Sequence, residues 1–168
     1  MVGRYINEYK ELHKQKEYGL GDSDALKYIK KRIADKTLTI LDYGCGRSSL
    51  ADRIGAARYD PAIREYDLLP SGRFGLITCI DVLEHIPEDE LDYTLTLLAA
   101  KSNWVIFVIN TKIAGNILPC GENAHCTIHE KEWWISLLGK YFKQVKYIKE
   151  WPHMKPCKFL VECINNEH

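Results

Sequence analysis

The sequence predicts a doubly wound α/β sheet that closes with an antiparallel hairpin. From about residue 38 onward, short apolar, β-branched runs alternate with helix-patterned segments. One of those runs, residues 104–109 (WVIFVI), is apolar on both faces, as a central parallel strand should be. The last two runs, about 144–150 and 157–164, lie too close in sequence for a parallel crossover, so they read as a hairpin.

The elements follow in order. Residues 4–17 read as a helix with Tyr5, Ile6, Tyr9 and Leu12 on one face, and Gly19 and Gly21 break it. Asp22 or Ser23 caps a second helix, 24–34. Its last turn, Lys30-Lys31-Arg32, reads as a solvated face that complements the helix dipole. A strand at 38–41 precedes the turn LDYGCGRSSL, and a short helix from Ser49 ends at Gly55. Strands at 56–59 and 74–80 come next, then a helix over 87–100 with Pro87 in its first turn. Thr127-Ile-His-Glu130 has the form of a capping box, opening a helix that carries Trp133, Trp134, Leu137 and Leu138 and stops at Gly139. The final turn falls at Trp151-Pro152-His153.

Bulk properties narrow the function. A length of 168 residues suits one domain with a real core. Lysine plus arginine equals aspartate plus glutamate, 23 against 23, so no global field draws the chain to nucleic acid or an anionic membrane. The polar N-terminus has no apolar signal core, and no apolar run reaches a membrane span. The six cysteines contain no C-x-x-C pair and read as reduced thiols, with Cys79 in the core, so a cytoplasmic location is expected.

In such a sheet, ligands bind beyond the carboxyl ends of the strands. There the turn Asp42-Tyr43-Gly44-Cys45-Gly46 leaves no side chain between backbone and ligand at its two glycines. It lacks the third glycine of a dinucleotide fingerprint, having Ser49 instead. Asp42 is awkward beside a pyrophosphate and suits a ligand carrying positive charge. Asp60, at the end of the next strand and before Pro61, can accept both hydroxyls of a ribose, or simply form an Asp-Pro turn. Asp81-Val82-Leu83-Glu84-His85 places two acids and a histidine at the lip of a buried strand, either for a ligand or to anchor the next helix. The loop 111–126 is long for a compact domain, which favours a functional role.

The order ILDYGCGRSSL, YDP and FGLITCIDVLEHIP resembles the class I S-adenosylmethionine-dependent methyltransferases, in particular the small-molecule branch with D-x-G-C-G and D-V-L-E-H-I segments. The likeness spans about 38–164, and YKELHKQKEYG resembles that branch's cofactor-covering helix. It implies a Rossmann-like fold with a reversed last strand and S-adenosylmethionine as cofactor. Asp42, Gly44, Cys45 and Gly46 would line its methionine part, Asp60 and Pro61 its ribose, and Asp81 and Val82 would run beside it. It implies methyl transfer to an oxygen or nitrogen of a small-molecule or sugar-type acceptor. The alternatives are methylation of RNA or protein, or a non-catalytic S-adenosylmethionine-binding regulator.

Two departures stand out. Arg47-Ser48 replaces the family's third glycine. Residues 61–73 are too few for a crossover helix and a strand, so the third strand is expected to be absent or reduced to a remnant at 66–68, with Asp67 or Leu68 as a substitute adenine wall.

His125, His129 and His85 are the candidate catalytic residues, because a histidine near neutral pH can remove a proton from the acceptor. The loop is expected to close over the acceptor with His125 aimed at the transferred methyl. Cys120, His125, Cys126 and His129 fit no common zinc-ligand spacing, so no metal is assigned. The expected partner is a small molecule, not a membrane, with nucleic acid disfavoured; the sequence leaves oligomeric state and acceptor undefined.

Overall fold

The computed structural model describes residues 3–15, 23–151 and 157–165. Six strands form one sheet: β1 (Ile40–Tyr43), β2 (Ala57–Tyr59), β3 (Leu76–Ile80), β4 (Trp104–Asn110), β5 (Gln144–Trp151) and β6 (Lys158–Ile164), in the order β2-β1-β3-β4-β6-β5. β2, β1, β3 and β4 run parallel, and β6 is antiparallel to both β4 and β5. The hairpin reading of the C-terminal pair holds; its turn, including the residues after Trp151, lies outside the described residues.

Helices α1 (Ile6–Leu12), α2 (Ser23–Ile33), α3 (Leu50–Ile54), α4 (Leu91–Lys101) and α5 (Lys131–Leu138) surround the sheet. The alternation of strand side chains divides the core. Val105, Phe107 and Ile109 of β4 join Leu98 of α4 and Trp134 and Leu138 of α5 on one face. Trp104, Ile106 and Val108 join Ile29 of α2 and Leu50 of α3 on the other. All seven β4 residues are buried, which is why that run shows no alternation in sequence. Cys79 is fully buried, as expected.

The span 61–73 contains no strand. A single 3-10 turn, Arg64–Tyr66, returns a carbonyl to the Asp60 amide at 2.9 Å, which leaves β2 as a three-residue edge strand. The third strand is therefore absent, and no remnant forms at 66–68. Asp67 is exposed and Leu68 is 84% exposed.

Other boundaries moved. The first helix is shorter than expected, and the first strand begins at Ile40. The helix after Pro87 opens with a 3-10 turn, Glu88–Glu90. The basic stretch is only partly solvated: Arg32 donates to the buried Glu162 carboxylate at 2.8 Å, which also accepts from Trp104 Nε1 at 2.8 Å and Tyr28 Oη at 3.1 Å. The capping box does not form. α5 begins at Lys131 with Glu130 at its N-cap and no side-chain cap. Thr127 is buried instead, and its hydroxyl donates to the Ile86 carbonyl at 2.6 Å. A buried hydroxyl needs a partner, and the turn after β3 supplied one across the chain where the local amide did not.

Candidate functional site

The parallel register brings the ends of β1, β2, β3 and β4 to one edge. Asp42 pairs in register with Thr78, and Cys79 with Phe107. Asp42 is buried there, and its Oδ1 accepts the Thr78 hydroxyl at 2.8 Å.

The glycine turn folds tightly onto β2. The amides of Gly44 and Cys45 both donate to the Tyr59 carbonyl, at 2.7 and 3.1 Å. Gly44 has φ +73°, and a Cβ there would lie 2.4 Å from Val82 Cγ2, so only glycine fits beside Val82. Cys45 is buried, and burial, reinforced by Asp60 and Asp42, pushes its thiol pKa up to about 12. That thiol is inert.

Asp60 is held from two sides. Its Oδ2 accepts the Gly46 amide and its Oδ1 the Ala62 amide, each at 2.9 Å. Asp60 and Pro61 are both buried. α1 covers this corner, with Tyr9 and Leu12 packed against Ala62, Leu118 and Ala124. Tyr9 Oη reaches the Ala124 carbonyl at 2.8 Å and that of His85 at 3.0 Å. The helix thus ties together the loop 111–126, the segment after Asp60 and the turn after β3.

At the end of β3, Asp81 adopts a left-handed conformation, φ +54°. Its carboxylate accepts from Asn110 Nδ2 at 3.0 Å and Lys158 Nζ at 3.3 Å. Asn110 also binds Glu84, donating to Oε1 from both its side chain and its main-chain amide. Glu84 is fully buried, and burial, then repulsion from Asp81, holds its carboxyl well above the usual carboxylate range.

Two of the three histidines meet. The rings of His85 and His125 lie edge to face, centroids 4.7 Å apart. His85 Nδ1 bonds the Ala124 carbonyl at 2.8 Å, and His125 Nδ1 the Lys112 carbonyl at 2.6 Å. A carbonyl only accepts, so each Nδ1 carries the proton and each Nε2 a lone pair. Burial and the neighbouring His125 push the pKa of His85 down to about 3, against the pull of the Ala124 carbonyl. Burial also lowers His125, opposed by the Lys112 carbonyl. Both rings are neutral near pH 7. His125 is only 7% exposed and precedes α5 by several residues rather than two. It lines a cleft of about 510 Å³ with Tyr5, Pro87, Glu88, Asn123 and Cys126. His129 stands apart, stacked on Trp133 at 3.7 Å and bonded to Glu88 at 2.9 Å.

Asn110 and Lys158 are site neighbours that no sequence motif points to, while Glu84 belongs to the Asp81–His85 segment and Tyr9 and His13 to the stretch likened to a cofactor-covering helix. Asn110 left one signal, a polar residue closing an otherwise apolar strand.

No family model matches this chain, and no curated protein matches it. Solved structures do. The N-methyltransferase NodS from Bradyrhizobium japonicum WM9, in complex with S-adenosyl-L-homocysteine, is similar with a TM-score of 0.63 at 12% identity, covering 97% of this chain and 98% of that one. The fold is that of the S-adenosylmethionine-dependent methyltransferases. Magnesium protoporphyrin IX methyltransferase from Synechocystis PCC 6803, with bound S-adenosylmethionine, is similar at TM-score 0.60 and 15% identity, covering 96% and 94%. The 1,6-didemethyltoxoflavin-N1-methyltransferase from Burkholderia thailandensis is similar at 0.64 and 11%, covering 97% and 84%. Such likeness establishes the methyltransferase fold, including the antiparallel C-terminal strands.

Proposed function

We propose that this chain binds S-adenosylmethionine at the carboxyl ends of β1, β2 and β3 and moves its methyl group to an oxygen or nitrogen of a small-molecule or sugar-type acceptor. The observation that carries this is the meeting of Asp42, the Gly44–Gly46 turn, Asp60 and Asp81 at one sheet edge, in a fold shared with enzymes that bind this cofactor. The donor set fits. Acids suit the cationic end of the ligand, a carboxylate suits a ribose diol, and the glycines leave backbone open to contact.

When bound, the cofactor supplies a methyl group made electrophilic by its sulfonium. The chain's residues do the rest. The amides of Gly46 and Ala62 fix the Asp60 carboxylate in one orientation, ready to accept ribose hydroxyls with its remaining lone pairs. Asp42, oriented by Thr78, places negative charge near the glycine turn. α1 covers the corner and excludes water, which keeps the reacting groups aligned. His125, neutral with its lone pair on Nε2, borders the cleft and is the proton acceptor of choice. His85 packs edge to face against His125 and positions it, while His129 belongs to the rim.

Calorimetry of the full chain with S-adenosylmethionine and S-adenosylhomocysteine tests the reading. A single site with micromolar affinity is expected. No heat for either ligand would leave a scaffold that has the fold without the activity.

A further inference from the structure

We propose that Glu84, His85 and His125 form a binding site for one divalent cation of the kind that takes imidazole and carboxylate together, such as Zn²⁺, Co²⁺ or Mn²⁺. Among the described residues, each of the three offers a ligand atom within 4.8 Å of the others. In a tetrahedral site two atoms each about 2.1 Å from one zinc-like cation lie about 3.4 Å apart, so the three groups would draw together by up to about 1.4 Å on binding.

The far nitrogens of both imidazoles are already held. Metal-binding imidazoles characteristically donate their far nitrogen to a carbonyl or carboxylate, which fixes ring and tautomer. Both rings do so here, His85 to Ala124 and His125 to Lys112. The carboxylate is fixed as well. Glu84 Oε1 is taken by Asn110, while Oε2 is buried and has no hydrogen-bond partner among the described residues. Near neutral pH that buried carboxyl keeps its proton, and a cation entering beside it would take the proton's place on an oxygen that has no other partner among the described residues. The three ligands come from the turn after β3 and from the loop 111–126, so an ion would tie the two together beside the cleft that His125 lines. Two histidines and one carboxylate leave coordination positions open, as in sites where a cation holds a substrate oxygen. An ion there occupies the Nε2 lone pair of His125, so in the metal-loaded protein that ring is a ligand and not the proton acceptor. This differs from the Cys120, His125, Cys126, His129 set that sequence spacing brings up, whose Cys120 is exposed.

The test is titration of the full chain, stripped by a chelator, with Co²⁺ followed by visible absorption, and with Zn²⁺ followed by calorimetry. One equivalent of each is expected to bind. Glu84→Gln and His125→Ala are each expected to weaken binding at least about 10-fold, while Cys120→Ser and Cys126→Ser leave it unchanged. Absence of binding, affinity unchanged in folded His125→Ala, or a thiolate-to-cobalt band lost in the cysteine variants would overturn the proposal. Should Glu84→Gln fail to fold, His125→Ala decides alone, since its side chain lies in the loop. Neither titration uses S-adenosylmethionine, so this site stands or fails separately from the cofactor reading.

Discussion

His13 Nε2 lies 3.9 Å from Asp60 Oδ2, and both side chains are nearly fully buried. Burial lowers the pKa of His13 while the Asp60 charge opposes the shift. The contact seats α1 directly over the Asp60 carboxylate, so helix and the proposed ribose site form one unit. Four predictions rest on this corner and its neighbours.

Asp60→Ala should weaken S-adenosylmethionine binding by roughly 1.5–3 kcal/mol, about 10- to 150-fold. It should also cost stability, because the amides of Gly46 and Ala62 lose their acceptor. Calorimetry combined with denaturant unfolding separates the two effects. Unchanged affinity in a folded variant would remove Asp60 from the ribose site.

Gly44→Ala should destabilise the protein by about 1–3 kcal/mol, through the left-handed backbone and the clash with Val82. Adding Val82→Ala relieves only the clash, so the double variant should recover part of the loss. Full recovery would show that the backbone conformation costs nothing there.

Tyr9→Phe removes the hydroxyl that joins α1 to the Ala124 and His85 carbonyls. Amide exchange should rise in α1 and in the loop 111–126 while β1, β3 and β4 stay protected, since their core does not involve Tyr9. Uniformly faster exchange across the sheet would contradict that separation.

His85 makes stability sensitive to acid. Its folded pKa, about 3, lies below the ordinary value of 6.5, so the unfolded chain binds more protons between those values. The resulting stability is present above about pH 6.5 and lost as the pH falls toward 3. Glu84 acts in the opposite sense, its raised pKa favouring the fold below 4.5 and less so as pH rises. The comparison is therefore between chelator-treated wild type and His85→Gln by urea unfolding at pH 7 and pH 5. The variant should lose less stability on acidification; an equal loss would assign the acid sensitivity elsewhere.

The sequence by itself determined the sheet and the glycine turn at its carboxyl edge. Alternating apolar runs, the short hairpin connection and the brevity of 61–73 specify strands, direction and a missing third strand, because each depends on periodicity or on how far a chain can reach. The Asp42-to-Gly46 turn was legible for the same reason, since glycine at a strand-to-helix turn is a local backbone requirement. What only the tertiary structure decided was which distant polar groups found each other. Thr127 looks like a helix cap and instead serves Ile86. Glu84 looks like an anchor for the following helix, but Asn110 fixes one of its oxygens beside two histidines, one of them 41 residues along the chain. Asp60 looks like an open acid at a strand end, and the amides of Gly46 and Ala62 fix it with His13 3.9 Å away. Buried hydrogen-bonding groups satisfy themselves through space, and the spacing of residues along a chain carries no record of that choice.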